Sequence, residues 1–239
     1  MARNGFNNNL KVLAFDVFGT VVDWHGSVMR EVSELNLNVE PAEFARRWRA
    51  GYAPAMARVA SGELNWMKLD DLHEIILREV LEEFKIDSLS EAKIQHLNRC
   101  WHRLTPWPDS AEGLSLLKQD YIICTLSNGN IGLLTNMAKA GHLPWDCILS
   151  SEVFRHYKPH PQTYLGVARV FDVAPSEVML VAAHNNDLAA ARSCGLKTAY
   201  VERRFEFGVD QEKDVSPCEK NDVHAIDFIE LANILTKSN

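Results

Sequence analysis

Three short apolar runs constrain this chain more than any other feature, because each one stops abruptly at a polar turn. Val12, Leu13, Ala14 and Phe15 run into Asp16 and a glycine in KVLAFDVFGTVVD, residues 11–23. YIICTLSNGN (121–130) ends in Ser-Asn-Gly, and VMLVAAHNND (178–187) ends in His-Asn-Asn-Asp. A brief run that is apolar at every position suits a strand buried on both faces. A shorter run, KTAYV (197–201), follows Gly195. Helical periodicity fills the intervals at 109–119, 131–140, 161–172 and 187–194. Strand alternating with helix predicts an α/β fold: a doubly wound parallel sheet, Rossmann-like, with helices on both faces. Ligands of such sheets bind beyond the carboxyl ends of the strands. Asp16, Ser127, Asn128 and the stretch from His184 to Asp187 all lie at such ends. Residues far apart in sequence are therefore expected to converge.

The stretch 27–105 has helical periodicity and no strand pattern. Trp48, Tyr52, Trp66 and Trp101 give it bulk, and Pro54 is expected to mark a kink or a break. Pro106 and Pro108 mark the return to the sheet. The organisation expected is a core of 1–26 and 106–239 with a helical insertion over 27–105. There is no internal repeat and no low-complexity linker.

Composition excludes several classes. The net charge is −7 and the Lys and Arg residues are scattered, so no basic stripe invites nucleic acid or anionic lipid. The cysteine count is odd, at five, and no pair has CxxC spacing, which argues against a disulfide framework or a zinc site. No apolar run approaches membrane-spanning length, and the opening MARNGFNNNL has no apolar core. The expected address is the cytoplasm.

Asp16, a carboxylate at a strand end inside a Gly-Thr turn, has the setting of a nucleophile, although an isolated Asp in such a turn serves equally as a cap. Asp187 has a similar double reading, as a functional acid or as the N-cap of the helix LAAARS. The motifs together are more specific. DVFGT (16–20), LSNGN (126–130), Lys158 in YKPHP and AAHNNDLAAARSCG (182–195) resemble the four motifs of the haloacid dehalogenase superfamily. The insertion lies where that superfamily carries its cap domain, and the resemblance covers nearly the whole chain.

The resemblance implies that Asp16 forms a covalent ester and that Lys158 keeps it ionised and oriented. Tyr164 completes the Lys-x5-Tyr spacing found in the dehalogenases. Phosphatases of the superfamily carry an acid two places after the nucleophile to protonate the leaving alcohol. This chain has Phe18, and halide, unlike alkoxide, leaves without a proton. Magnesium-dependent members carry Gly-Asp where this chain has Ala182 and Ala183. No metal and no other cofactor are therefore implied. Both departures point to the 2-haloacid dehalogenase branch, which converts small (S)-2-haloacids to (R)-2-hydroxy acids. On that reading Asp187 is the base for water, or orients the base. Ser127, Asn128, Phe18 and Thr20 contact the substrate. Arg49, in ARRWRAGY, cradles the departing halide, with Arg46 and Arg47 as competitors for the role. Trp66 lines the halide pocket or packs the insertion. His184 stands where the best-known dehalogenases carry Asn, and Asn186 where they carry an aromatic. The implied partner is a small 2-haloacid, with a homodimer plausible. The rivals are a phosphatase of the same superfamily and an inactive binding protein.

Overall fold

In the computed structural model residues 9–236 are described. The opening residues, read above for a leader, lie outside that range except for the last two. The strands are β1 (Val12–Phe15), β2 (Val22–Asp23), β3 (Thr105–Pro106), β4 (Ile122–Ser127), β5 (Cys147–Ser150), β6 (Val178–Ala182), β7 (Lys197–Val201) and β8 (Val223–Ala225). Six of them form one sheet in the order β5-β4-β1-β6-β7-β8, every pairing parallel. The central strand β1 is fully buried, which is why it is apolar at each position. Its side chains alternate between two cores: Leu13 and Phe15 face one, Val12 and Ala14 the other.

The helices are α1 (Trp24–Glu34), α2 (Pro41–Ala50), α3 (Tyr52–Ala60), α4 (Leu69–Glu83), α5 (Glu91–Asn98), α6 (Ser110–Leu117), α7 (Ile131–Ala140), α8 (Ser151–Phe154), α9 (Pro161–Val170), α10 (Asn185–Ser193) and α11 (Phe228–Thr236). One sheet face packs on α6, α7 and α11, through Leu114, Leu133 and Phe228. The other packs on α9 and α10, through Val167 and Leu188. The chain runs from β1 to β4 and β5 on one side, then crosses back to β6, β7 and β8 on the other. The crevice at the carboxyl end of β1 is thus the switch point where ligands of such sheets bind.

Helices α1–α5 form an insertion pinned at its base, where β2 and β3 pair antiparallel. Its core is continuous with the first sheet face and centres on Trp24, Trp48 and Trp101, each at most 1% exposed. Rings of this size bury roughly 150–250 Å² each, worth about 4–6 kcal/mol. The break in the helices falls at Gly51, three residues ahead of Pro54. A Cβ at Gly51 would lie 2.3 Å from Ile76 Cγ2, so the close approach of α4 requires glycine there. Pro54 sits in the first turn of α3, where its missing N–H costs nothing. Among the described residues no helix is long and apolar enough to cross a membrane.

Candidate active site

Asp16 is the first residue beyond β1, anchored by its backbone N–H to Val181 O at 3.0 Å. The chain then turns sharply at Gly19, whose φ is +81°. That backbone favours glycine, and a Cβ there would meet Glu206 Oε1 at 2.2 Å. The turn brings Thr20 back, so its hydroxyl donates to Asp16 Oδ2 at 2.7 Å while accepting from the Ala183 N–H at 3.0 Å. Arg203 donates to Thr20 O and to Asp109, both at 2.8 Å, and fastens the loop to the start of α6.

Lys158 arrives from the loop before α9. Its ammonium donates to Asp16 Oδ1 at 3.0 Å and to Asp187 Oδ2 at 2.6 Å. The hydroxyl of Tyr164 donates to Asp187 Oδ1 at 2.6 Å. The expected Lys-x5-Tyr pair thus closes on one carboxylate. Asp187 reaches Asp16 through Lys158, and both of its oxygens are engaged. The second side of Asp16 is held by His184, Nδ1 to Oδ2 at 3.1 Å, and His184 Nε2 lies 2.8 Å from Glu206 Oε1.

These contacts set the charges. Burial alone would push Asp16 up; the Lys158 charge, then His184 and Thr20, hold it well below the usual carboxylate range. Burial alone would lower Lys158; Asp16 and Asp187 instead raise it above an ordinary lysine. For His184, burial is overcome by Glu206 and Asp16, and the imidazole rises to about 9. These shifts favour an ionised Asp16 carboxylate between two cationic side chains at neutral pH.

Ser127 is fully buried, and its Oγ accepts from the Gly129 N–H at 3.1 Å. Asn128 accepts from the Lys158 N–H at 2.8 Å and donates to the Tyr52 hydroxyl at 3.0 Å, tying the sheet to the insertion. Phe18 is 5% exposed and packs edge-on against Trp101, with ring centroids 5.8 Å apart. A second tie joins insertion and sheet at Asp70, which accepts from Asn130 Nδ2 at 3.0 Å and contacts His102 Nε2 at 2.9 Å.

The three arginines of α2 separate cleanly. Arg46 pairs with Asp210 at 3.3 Å and Arg47 with Glu83 at 2.7 Å. Arg49 lies over the ring of Tyr52, 4.3 Å from its centroid, and 5.8 Å from that of Trp24. It has no carboxylate partner among the described residues. Its charge reaches the buried His73, whose imidazole is lowered to about 3 by burial and then by Arg49. Trp66 stacks on Tyr157 and lies under Arg155; its indole N–H has no hydrogen-bond partner among the described residues. No contact joins Trp66 to Asp16.

The residues do not suit a divalent metal ion. Ala182 and Ala183 present methyl groups, and the Lys158 ammonium already lies between Asp16 and Asp187. Among the described residues no three His, Cys, Asp or Glu are grouped to hold a metal.

Glu206 and Lys213 do not figure in the sequence reading. Glu206 lies in the turn after β7, is 1% exposed, and accepts from Lys213 Nζ at 2.6 Å and Trp24 Nε1 at 3.3 Å. The available signal was a charged residue between two phenylalanines in RRFEFG, too common to single out.

A strand-end carboxylate held by a lysine, at the switch point of a parallel sheet and beneath a helical insertion, defines a class of protein. The haloacid dehalogenase-like hydrolase family matches residues 10–195, and the chain belongs to it. Within that family it is similar to the defluorinating L-2-haloacid dehalogenase Rha0230, at 45% identity and a TM-score of 0.92 over 95% of each chain. The L-2-haloacid dehalogenase PA0810 is 44% identical with a TM-score of 0.89, over 94% of this chain and 98% of that one. The (S)-2-haloacid dehalogenase 4A of Burkholderia cepacia is 29% identical over 201 residues, 82% of this chain and 85% of that protein.

Proposed function

We infer that the chain is a hydrolytic dehalogenase of small (S)-2-haloacids, giving halide and (R)-2-hydroxy acids by way of an ester on Asp16. One observation carries this reading: the Asp16 carboxylate lies between the Lys158 ammonium and the His184 imidazole, at 3.0 and 3.1 Å, while the residue two places on is a buried phenyl ring. Such a site supplies a strong nucleophile and no acid beside it, which suits a leaving group that needs no proton. The similarity to three 2-haloacid dehalogenases points the same way.

In the first step an Asp16 oxygen displaces halide from C2 with inversion. Lys158 keeps the carboxylate ionised and Asp187 with Tyr164 keeps Lys158 in place. Residues 27–105 serve as the cap, and Arg49 receives the departing halide as a cation with no carboxylate partner among the described residues. Ser127 and Asn128 bound the pocket on the core side, and Trp66 bounds the cap segment that Tyr157 joins to the core, its hydroxyl donating to Met67 O at 2.6 Å. In the second step water opens the ester at its carbonyl carbon. The setting proposed is the cytoplasm, with two copies paired.

The test is release of chloride from (S)- and (R)-2-chloropropionate in the presence of EDTA. Release from the (S) form alone, undiminished by chelation and yielding (R)-2-hydroxypropionate, is expected. No chloride, but magnesium-dependent release of phosphate from a phosphate ester, would establish the phosphatase instead.

A further inference from the structure

Both ring nitrogens of His184 face carboxylate oxygens, Nδ1 toward Asp16 at 3.1 Å and Nε2 toward Glu206 at 2.8 Å. Only the imidazolium can donate on both sides, so the geometry itself calls for a charged ring. Glu206 is nearly inaccessible and is fixed by Lys213 and the Trp24 indole. Lys213 in turn donates to Ala183 O at 2.6 Å, next to the histidine in the chain. The ring is therefore held from behind with little freedom to leave Asp16.

The charged groups around His184 are few. Asp16 faces it from the nucleophile loop, with Lys158 and Asp187 beyond. Glu206 faces it from the turn after β7, with Lys213 and Arg203 alongside. Only one of these changes charge during the proposed reaction. Once Asp16 becomes an ester, Lys158 keeps Asp187 and Glu206 keeps Lys213, but His184 loses one of its two anions.

We propose that His184 is a catalytic residue that gives up its proton when Asp16 is esterified and takes one from the attacking water, with Glu206 as its positioning residue. The proposal rests on the dehalogenase reading and deepens it. In the first step the bond from an Asp16 oxygen to C2 forms and the carbon–halogen bond breaks, halide leaving with the electron pair. Asp16 is now uncharged, and the Nδ1 proton passes to solvent. In the second step the Nδ1 lone pair takes a proton from water as the water oxygen bonds to Cγ of Asp16. The bond from Cγ to the substrate oxygen then breaks, and the proton left on the added hydroxyl moves to that oxygen. The products are halide, hydroxy acid and one proton, and the resting pair of Asp16 carboxylate and His184 imidazolium is restored. Burial opposes the charged ring throughout, and Asp16 is one of the two groups that hold its value near 9, so loss of that anion lowers it. Asp187 is less well placed to take the proton, since Tyr164 and Lys158 occupy its oxygens at 2.6 Å each.

The timing of proton release tests this. The wild-type enzyme, in excess over (S)-2-chloropropionate, is followed through one turnover in weak buffer at about pH 8 with an indicator dye, alongside chloride and product. One proton per chloride is expected, in the same phase as chloride and ahead of the hydroxy acid. In His184→Gln the proton should appear only with the hydroxy acid, and hydrolysis should slow by about a hundred- to ten-thousandfold, the usual scale for losing a general base. Glu206→Gln should release fewer protons per chloride in the early phase, because its ring starts partly neutral; Glu206→Asp should recover part of the loss. A wild-type proton that arrives with the hydroxy acid would overturn the proposal while leaving the dehalogenase reading intact. Unchanged hydrolysis in His184→Gln would do the same. No chloride release from the wild type would overturn both.

Discussion

The two walls of the cleft hold charge in opposite ways. On the sheet side, Asp187, Lys158, Asp16, His184 and Glu206 form, in that order, a chain of alternating sign whose links lie between 2.6 and 3.1 Å. On the insertion side, Arg49 rests on aromatic rings and meets no carboxylate among the described residues. On the proposed reading the sheet wall is complete before substrate arrives, whereas the insertion wall keeps a cation open for the departing halide. That division suits a reaction in which a fixed nucleophile on one side generates a halide on the other.

The comparison breaks most readily at Lys158. Lys158→Met would leave Asp16 and Asp187 without their shared cation. Removing one member of a buried ion pair costs about 3–5 kcal/mol. Turnover should vanish and the urea midpoint fall; a stable variant with normal turnover would show that the chain of charges is not what holds the sheet wall. The insertion wall should respond differently. Arg49→Ala should slow halide release by about ten- to a thousandfold, the scale of one lost electrostatic stabiliser. Its folding stability should hardly change, since no ion pair is broken. Arg49→Lys should recover only part of the rate. If Arg46→Ala or Arg47→Ala lost as much, the separation seen along α2 would lose its meaning.

The smallest effect is one of pH. The His184 imidazole is raised from 6.5 to about 9, so its contribution to stability is complete below about 6.5 and is lost as the pH rises through about 9. Asp16 and Glu206 are depressed, so their contributions persist above the ordinary carboxylate range and are lost only in acid. Between pH 6.5 and 9 the wild type should therefore lose more stability to urea than His184→Gln. Parallel curves would mean that the ring is not charged in the resting state.

The same division explains what the sequence made legible. The central strands are buried on both faces, so β1 and β6 read as unbroken apolar runs and β4 as one interrupted only at Thr125, and the residues at their ends could be named. The edge strand β5 is only half-buried at Cys147 and Ile148, and β8 has a partly exposed His224, so neither shows that pattern. The insertion was legible as helical because its apolar residues recur at helical spacing, as Leu69, Leu72, Ile76 and Val80 do along α4. Within ARRWRAGY the resemblance singled out Arg49, but the residues alone could not separate it from Arg46 and Arg47, because Arg46 and Arg49, three positions apart, share a helix face and the partners Asp210 and Glu83 lie far off in sequence. Glu206 was invisible for a related reason. Its function comes from a fold that lays it over Gly19, 187 residues earlier, and no local pattern marks that approach.

The central claim is that Asp16, not water, attacks the substrate carbon. A single turnover of (S)-2-chloropropionate in heavy-oxygen water, with enzyme in excess and peptides analysed by mass, addresses it directly. The heavy atom should enter the Asp16 carboxylate and be absent from the first hydroxy acid formed, and Asp16→Asn, still folded, should be inactive because an amide is a poor nucleophile. A first product already carrying the heavy oxygen, with none in the peptide that contains Asp16, would contradict the account.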